Sequence, residues 1–337
     1  MKTNRTAKQI LAALAIIISL SACSLAEKEE IISTDAPLSS ESSSAEEIII
    51  EPEPIPEPEP EPEPVPEPAV YLSSYNVLRG SHIIISAENV DLSECVFTDS
   101  FGYERTFFEK DGVWYCFIPV KTSQDPGYYN LSFQSGDYKF STTVTVEDKT
   151  FRKQYLTVEP ATLEETLEDA AVRAAFDEFY QEYRFTFTET PLWEGEFMWP
   201  LGSYAYRETT SFGTFRTFSN GDTEYHNAID MAAPGGQKIY ATNSGTVVFA
   251  GWLGLTGNTV VLDHGCGIMS WHYHLEKLGC EEGQQVAKGD VIGRVGTTGL
   301  STGNHLHFGI TVGGIFVDPA EFMETEPNLE FWKVTEE

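Results

Sequence analysis

Basic residues are scarce in this 337-residue chain: 21 Lys and Arg stand against 52 Asp and Glu, for a formal net charge of −31. So acidic a chain repels phosphate, which argues against a nucleic-acid partner. Long apolar runs are missing as well. Near the N-terminus Ile10 to Leu20 is apolar over 11 residues, short of the ~20 that a membrane-spanning helix needs. Histidine is also rare, with seven in all, yet six of the seven fall between residues 226 and 307. That crowding marks the segment where chemistry is to be sought.

The first 23 residues combine a basic start (Lys2, Arg5, Lys8), the short apolar run and then Leu20-Ser21-Ala22-Cys23, the layout of an export signal. The last four residues resemble the lipobox of bacterial lipoproteins. The resemblance implies cleavage before Cys23, a diacylglyceryl thioether on its sulfur, and a mature chain exported and lipid-anchored. The expected site is the outer face of the bacterial cytoplasmic membrane, Gram-positive rather than Gram-negative, facing the cell wall. Residues 24–68 then read as a linker, Ser- and Glu-rich before alternating Glu-Pro, and residues 27–68 hold 14 acids against one Lys. Proline fixes φ and the glutamates repel one another, so the Glu-Pro stretch is a semi-rigid spacer reaching roughly 55 Å at about 3.1 Å per residue.

The remainder reads as mainly β. Within residues 69–149, alternating runs at His82–Ser86, Cys95–Asp99, Arg105–Glu109, Val113–Val120, Tyr128–Phe133 and Tyr138–Val146 are parted by turn signals such as Asp111-Gly112. This spacing predicts a small β-sandwich, immunoglobulin-like, serving as spacer or binding module. Residues 150–190 form a connector with one predicted helix. Thr162-Leu163-Glu164-Glu165 fits a capping box, and Leu163, Leu167, Ala171, Val172, Phe176, Phe179 and Tyr183 follow at helical spacing. Residues 191–325 are Gly-rich β and form the candidate catalytic domain, with 326–337 an acidic tail.

Two histidine pairs carry chemical meaning. His305-Leu306-His307 lies in a strand-like run, so both imidazoles share a face. His226 and Asp230 stand four apart, and the nearby Pro234-Gly235-Gly236 argues for an extended or looped segment rather than a helix. Two imidazoles and a carboxylate suit zinc, and three protein ligands leave a position open for water.

Residues 196–323 resemble the lysostaphin-like (LytM-type, duplicated-hybrid-motif) peptidoglycan metallopeptidases. The resemblance rests on Ser211-Phe212-Gly213, His226-x-x-x-Asp230, Leu262-Asp263-His264-Gly265, His274-Leu275, Gly289-Asp290, Gly296-x-Thr298-Gly299, Thr302-Gly303-Asn304-His305-Leu306-His307-Phe308 and Val317-Asp318-Pro319, in family order. It implies an antiparallel β-sheet peptidase domain that hydrolyses peptide cross-links of peptidoglycan with Zn2+. His226, Asp230 and His307 would bind the metal, and His274 and His305 would be unliganded catalytic histidines. Two positions depart from the family: His272 stands where Tyr is frequent, and Asn304 where Pro is. On an extended strand His272 would face the same side as His274, at the cleft or its rim; His264 reads as structural. A rival reading is a wall-binding or amidase-activating scaffold on the same fold. Such relatives lack ligands that this chain retains, so the enzyme is the favoured expectation.

After Cys23, the cysteines are Cys95, Cys116, Cys266 and Cys280. In an exported chain a Cys95–Cys116 disulfide is an open expectation. Cys266–Cys280 is disfavoured by the length of the intervening strand.

Overall fold

Alternating apolar and polar residues between 69 and 147 form eight short strands, as period-two patterning requires. The structure, a computed structural model, describes residues 65–102 and 107–325. The expected signal peptide, the lipidation residue Cys23, the linker up to residue 64 and the acidic tail from 326 lie outside the described residues. So do residues 105 and 106 of the expected Arg105–Glu109 strand. Among the described residues, no helix is long and apolar enough to cross a membrane.

The first sheet has the order β1 (Ala69–Leu72), β3 (His82–Glu88), β6 (Val113–Pro119), β5 (Phe107–Lys110). The second has the order β2 (Asn76–Leu78), β8 (Tyr138–Glu147), β7 (Gly127–Ser135), β4 (Cys95–Asp99). Ile83, Ile85, Cys116 and Ile118 of the first sheet meet Leu131, Phe133, Val144 and Val146 of the second in one buried cluster. The intervening residues Ile84, Tyr115 and Phe117 point the other way, into a cluster shared with Trp193 and Phe197 of the C-terminal domain. This sheet is therefore buried on both faces, which explains the unbroken apolar run Ile83-Ile84-Ile85. Lys149 adds ion pairs to Asp318 Oδ2 (2.9 Å) and Glu321 Oε1 (2.6 Å) across the same contact.

All four described cysteines are free thiols. Cys95 and Cys116 lie in opposite sheets, and the Cys95 thiol donates to Asp91 O. The open expectation of a bridge between them is thus not met.

The connector departs from the single predicted helix. It begins with β9 (Lys153–Leu156), followed by a short α1 (Pro160–Glu165) and then α2 (Ala170–Tyr183). Thr162 lies inside α1 and makes no capping box. Asp169 is the cap instead, its carboxylate accepting from the amides of Ala171 and Val172, as an N-terminal Asp does. The apolar stripe divides accordingly. Leu163 and Leu167 pack on Phe218, while Phe179, Phe176 and Tyr183 pack on Trp271 and its neighbours.

The large antiparallel sheet runs β10 (Arg207–Thr210), β13 (Ile229–Ala232), β20 (His305–Val312), β17 (Ile268–Leu278), β16 (Gly257–Asp263), β15 (Gly245–Leu253), β18 (Gln285–Val286). Three further strands flank this path: β14 (Lys238–Tyr240), β19 (Val291–Val295) and β21 (Ile315–Val317). A separate small sheet places β11 (Phe215–Phe218) between β12 (Thr223–Tyr225) and β9, the latter pairing parallel. Short α3 (Pro319–Thr325) follows.

Candidate metal centre and cleft

Strand register assembles the site. Asp230 pairs with His307, Ala232 with His305, and His307 in turn with Tyr273. Residues directly opposite one another share a face, so Asp230, His305, His307 and Tyr273 project together. His226 reaches the same place from the segment before β13. Its backbone exchanges hydrogen bonds with the Ser211–Thr214 turn, its carbonyl accepting from Gly213 and its amide donating to Thr214 O. Gly213 needs to be glycine there. Its φ is +74° and a Cβ would sit 2.2 Å from the Phe151 ring.

Three atoms converge. His226 Nε2 lies 3.0 Å from Asp230 Oδ1 and 3.1 Å from His307 Nδ1, and His307 Nδ1 lies 3.0 Å from Asp230 Oδ1. These three residues are the described group whose geometry could hold a metal. His226 Nδ1 donates to Ser211 O (3.2 Å), leaving the Nε2 lone pair to face a carboxylate oxygen. Two lone pairs at this separation call for a cation or a proton between them. The edges also approach the roughly 3.3 Å that tetrahedral zinc with Zn–N near 2.0–2.1 Å imposes. The side chains fit zinc.

The surroundings tune these groups. Burial alone would raise the Asp230 carboxyl, but the adjoining His226 and His307 imidazoles hold it well below the usual carboxylate range. Burial pushes His307 down to about 4, so its ring stays uncharged and available as a ligand at neutral pH. Tyr273 stacks on the His307 ring at 4.9 Å and 8°. The outer oxygen of Asp230, Oδ2, accepts from Arg216 Nη2. Arg216 had no motif to announce it. β11 carries it to the site, wedged between Glu224 of β12 and Gln154 of β9 in the strand register.

His274 and His305 stand beside the triad, their rings 4.8 Å apart. His274 Nδ1 donates to Thr298 O (2.7 Å) and His305 Nδ1 donates to Gly303 O (2.7 Å). Both therefore keep a bare Nε2, and that of His305 lies 3.6 Å from Asp230 Oδ1. Burial first, then the imidazoles of His305 and His307, hold His274 well below the ordinary histidine range.

The sequence reading of His272 is corrected here. β17 carries one extra residue against β16 between the Val260↔His272 and Asn258↔Leu275 pairs, and His274 has φ +65°. This bulge turns His274 onto the same face as Tyr273. His272 keeps the regular register, opposite Phe308, and is fully buried in the core rather than at the cleft or its rim. His264 is also away from the triad, buried, with Nδ1 donating to Ser244 O (2.9 Å) and Nε2 meeting Ser270 Oγ (2.8 Å).

Two recesses flank the triad. One, of about 290 Å³, is lined by Arg207, Asp230, His305 and the 300–304 loop. The other, of about 300 Å³, is walled by Phe176 and Tyr180 of α2 together with Tyr273, His226 and Phe316.

Residues 224–319 match the model of peptidase family M23. The DD-carboxypeptidase/endopeptidase Mpg of Neisseria meningitidis is 39% identical over 104 residues, 31% of this chain and 24% of Mpg. The peptidoglycan DD-endopeptidase ShyA of Vibrio cholerae is 40% identical over 89 residues, 26% of this chain and 21% of ShyA. The chain thus spans about a quarter of the length of these curated relatives. A solved structure described as an M23 peptidase from Pseudomonas aeruginosa superposes with a TM-score of 0.50 at 25% identity, covering 73% of this chain and 94% of that one. The histidine–aspartate geometry, the sheet that carries it and these matches together make residues 224–319 similar to peptidase family M23.

Proposed function

We propose that this chain is a zinc-dependent endopeptidase that hydrolyses the peptide cross-links of peptidoglycan. The observation that carries the reading is the meeting of His226 Nε2, Asp230 Oδ1 and His307 Nδ1 at 3.0–3.1 Å, with two unliganded histidines alongside. The substrate class rests on the relatives, two of which are named for endopeptidase activity.

His226, Asp230 and His307 would hold the zinc, which when bound polarises the scissile carbonyl and acidifies the attacking water. His274, uncharged and with Nε2 bare, would accept the proton of the attacking water. Its Nδ1–H stays on Thr298 O throughout, so the ring cannot swing away. His305, oriented through its Nδ1–H on Gly303 O, would stand across the scissile bond as the second acid–base group. The aromatic wall of Phe176, Tyr180 and Tyr273 keeps water off one side of the cleft. Lipidation at Cys23 would hold this machinery on the outer membrane face, with the Glu-Pro spacer carrying it toward the wall.

The test separates ligand from catalyst. His274→Ala and His305→Ala are each expected to retain stoichiometric zinc and lose hydrolysis by about 10² or more, the usual scale for acid–base groups. Wild-type hydrolysis in both variants, with zinc in place, would show these roles to be misassigned. Zinc binding by the wild type without cleavage of any cross-linked peptide would favour a scaffold instead.

A further inference from the structure

In a chain of net charge −31, the recess on the His305 side of the triad is lined by two arginines and a single acid. The acid is Asp230, and both its oxygens are taken: Oδ1 by the two imidazoles, Oδ2 by Arg216. The second arginine, Arg207, is different. It is exposed on β10, and no described residue takes its guanidinium in a hydrogen bond or an ion pair. Its direction follows from register. Arg207 pairs with Ala232, and Ala232 pairs with His305, so Arg207 projects from the same face as His305, two strands away. At about 4.8 Å between strands that is roughly 10 Å of backbone separation, a span that a long side chain closes to within one residue of the scissile bond. Apart from the histidines, the remaining polar side chains there, including Thr209, Thr302 and Asn304, carry no ionisable group.

An unpaired guanidinium beside a reacting peptide bond is a receptor for a planar anion, and the anion a wall peptide offers is a carboxylate. Resting on the peptidase reading above, we infer that Arg207 selects substrates whose residue on the β10 side of the scissile bond bears a free carboxylate. Such a residue is a dicarboxylic diamino acid within the stem or a chain-terminal residue. A neutral glycine bridge offers no such group within the chain and is disfavoured. Arg207 is a specificity residue; it takes no part in bond cleavage.

The test uses the zinc-loaded full-length protein and three synthetic cross-linked peptides. One carries free carboxylates, one is amidated only at the side carboxylate, and one is amidated only at the C-terminus. The wild type is expected to cut the free peptide with kcat/KM about tenfold above one of the two amides, chiefly through KM, as loss of a charge-assisted hydrogen bond implies. The amide that suffers identifies which carboxylate is read. Arg207→Gln is expected to bring the peptides within about twofold of one another, and Arg207→Lys to restore part of the preference. Non-cleavable analogues, with the scissile amide reduced to a methyleneamine, are titrated in parallel and should show the same order of affinities. Equal treatment of all three peptides by the wild type, or discrimination undiminished in Arg207→Gln, would overturn the assignment. If no peptide is cut, the peptidase reading fails, while the analogue titrations still decide whether Arg207 reads a carboxylate.

Discussion

Replacing Arg216 with Met tests how the carboxylate ligand is held. The substitution keeps an unbranched apolar stem and removes only the guanidinium. Asp230 is 7% exposed at its side chain and Arg216 12%, so water cannot readily take over the lost partner. Asp230 Oδ1 is already committed to His226 and His307, and Oδ2 would be left buried and unpaired. Groups that orient a metal ligand from outside its coordination shell typically contribute 10- to 100-fold in metal affinity. Zinc affinity in Arg216→Met should therefore fall by about 1.4–2.8 kcal/mol. Arg216→Lys should recover part of the loss, because an ammonium keeps the charge but not the planar fork. The assay is competition for zinc against a chromophoric chelator, run on protein whose circular dichroism matches wild type. Affinity within twofold of wild type in Arg216→Met, with Asp230→Ala binding no zinc, would refute the reasoning.

Stability should fall on the acid side for a reason separate from the metal. Burial keeps His82 and His264 neutral with pKa values lowered to about 4, and His272 to about 3. The unfolded chain takes up these protons near pH 6.5 and the folded chain does not, so stability is lost as pH drops from 6.5 toward 4. At pH 5 each histidine accounts for roughly 2 kcal/mol, at 1.36 kcal/mol per unit. Urea unfolding of the zinc-free protein should show a clearly lower midpoint at pH 5 than at pH 7, and equal midpoints would contradict this. For the anchor, Cys23→Ser should abolish incorporation of a fatty-acid probe, and undiminished labelling would end the lipoprotein reading.

Local pattern made part of this legible and long-range pairing hid the rest. The sharing of a face by His305 and His307 follows from a two-residue period, which β20 keeps throughout. His272 and His274 have the same spacing and do not share a face, because the bulge with His274 at φ +65° breaks the alternation. Nothing in Trp271-His272-Tyr273-His274 announces a bulge. Arg216 is hidden in the sequence for a different reason. It belongs to no motif, and its path to Asp230 depends on β11 pairing with β9 some 60 residues earlier in the chain. The single helix expected in the connector fails because its apolar stripe runs through a break. The expected cap, Thr162, lies seven residues before Asp169, the residue that caps α2. The sandwich strands are readable from alternation and turn residues, but not the burial of the first sheet on both faces, which needs the C-terminal domain as partner.

The most direct measurement is digestion of purified, cross-linked muropeptides by the full-length protein, first stripped with a chelator and then restored with one equivalent of zinc. Mass spectrometry of the products identifies the new amino terminus. The expected result is no cleavage by the stripped protein, cleavage of one defined cross-link on adding zinc, and none with zinc-restored His307→Ala. Cleavage that survives chelation, or a zinc-loaded wild type that leaves every cross-link intact, would contradict a zinc endopeptidase built on His226, Asp230 and His307.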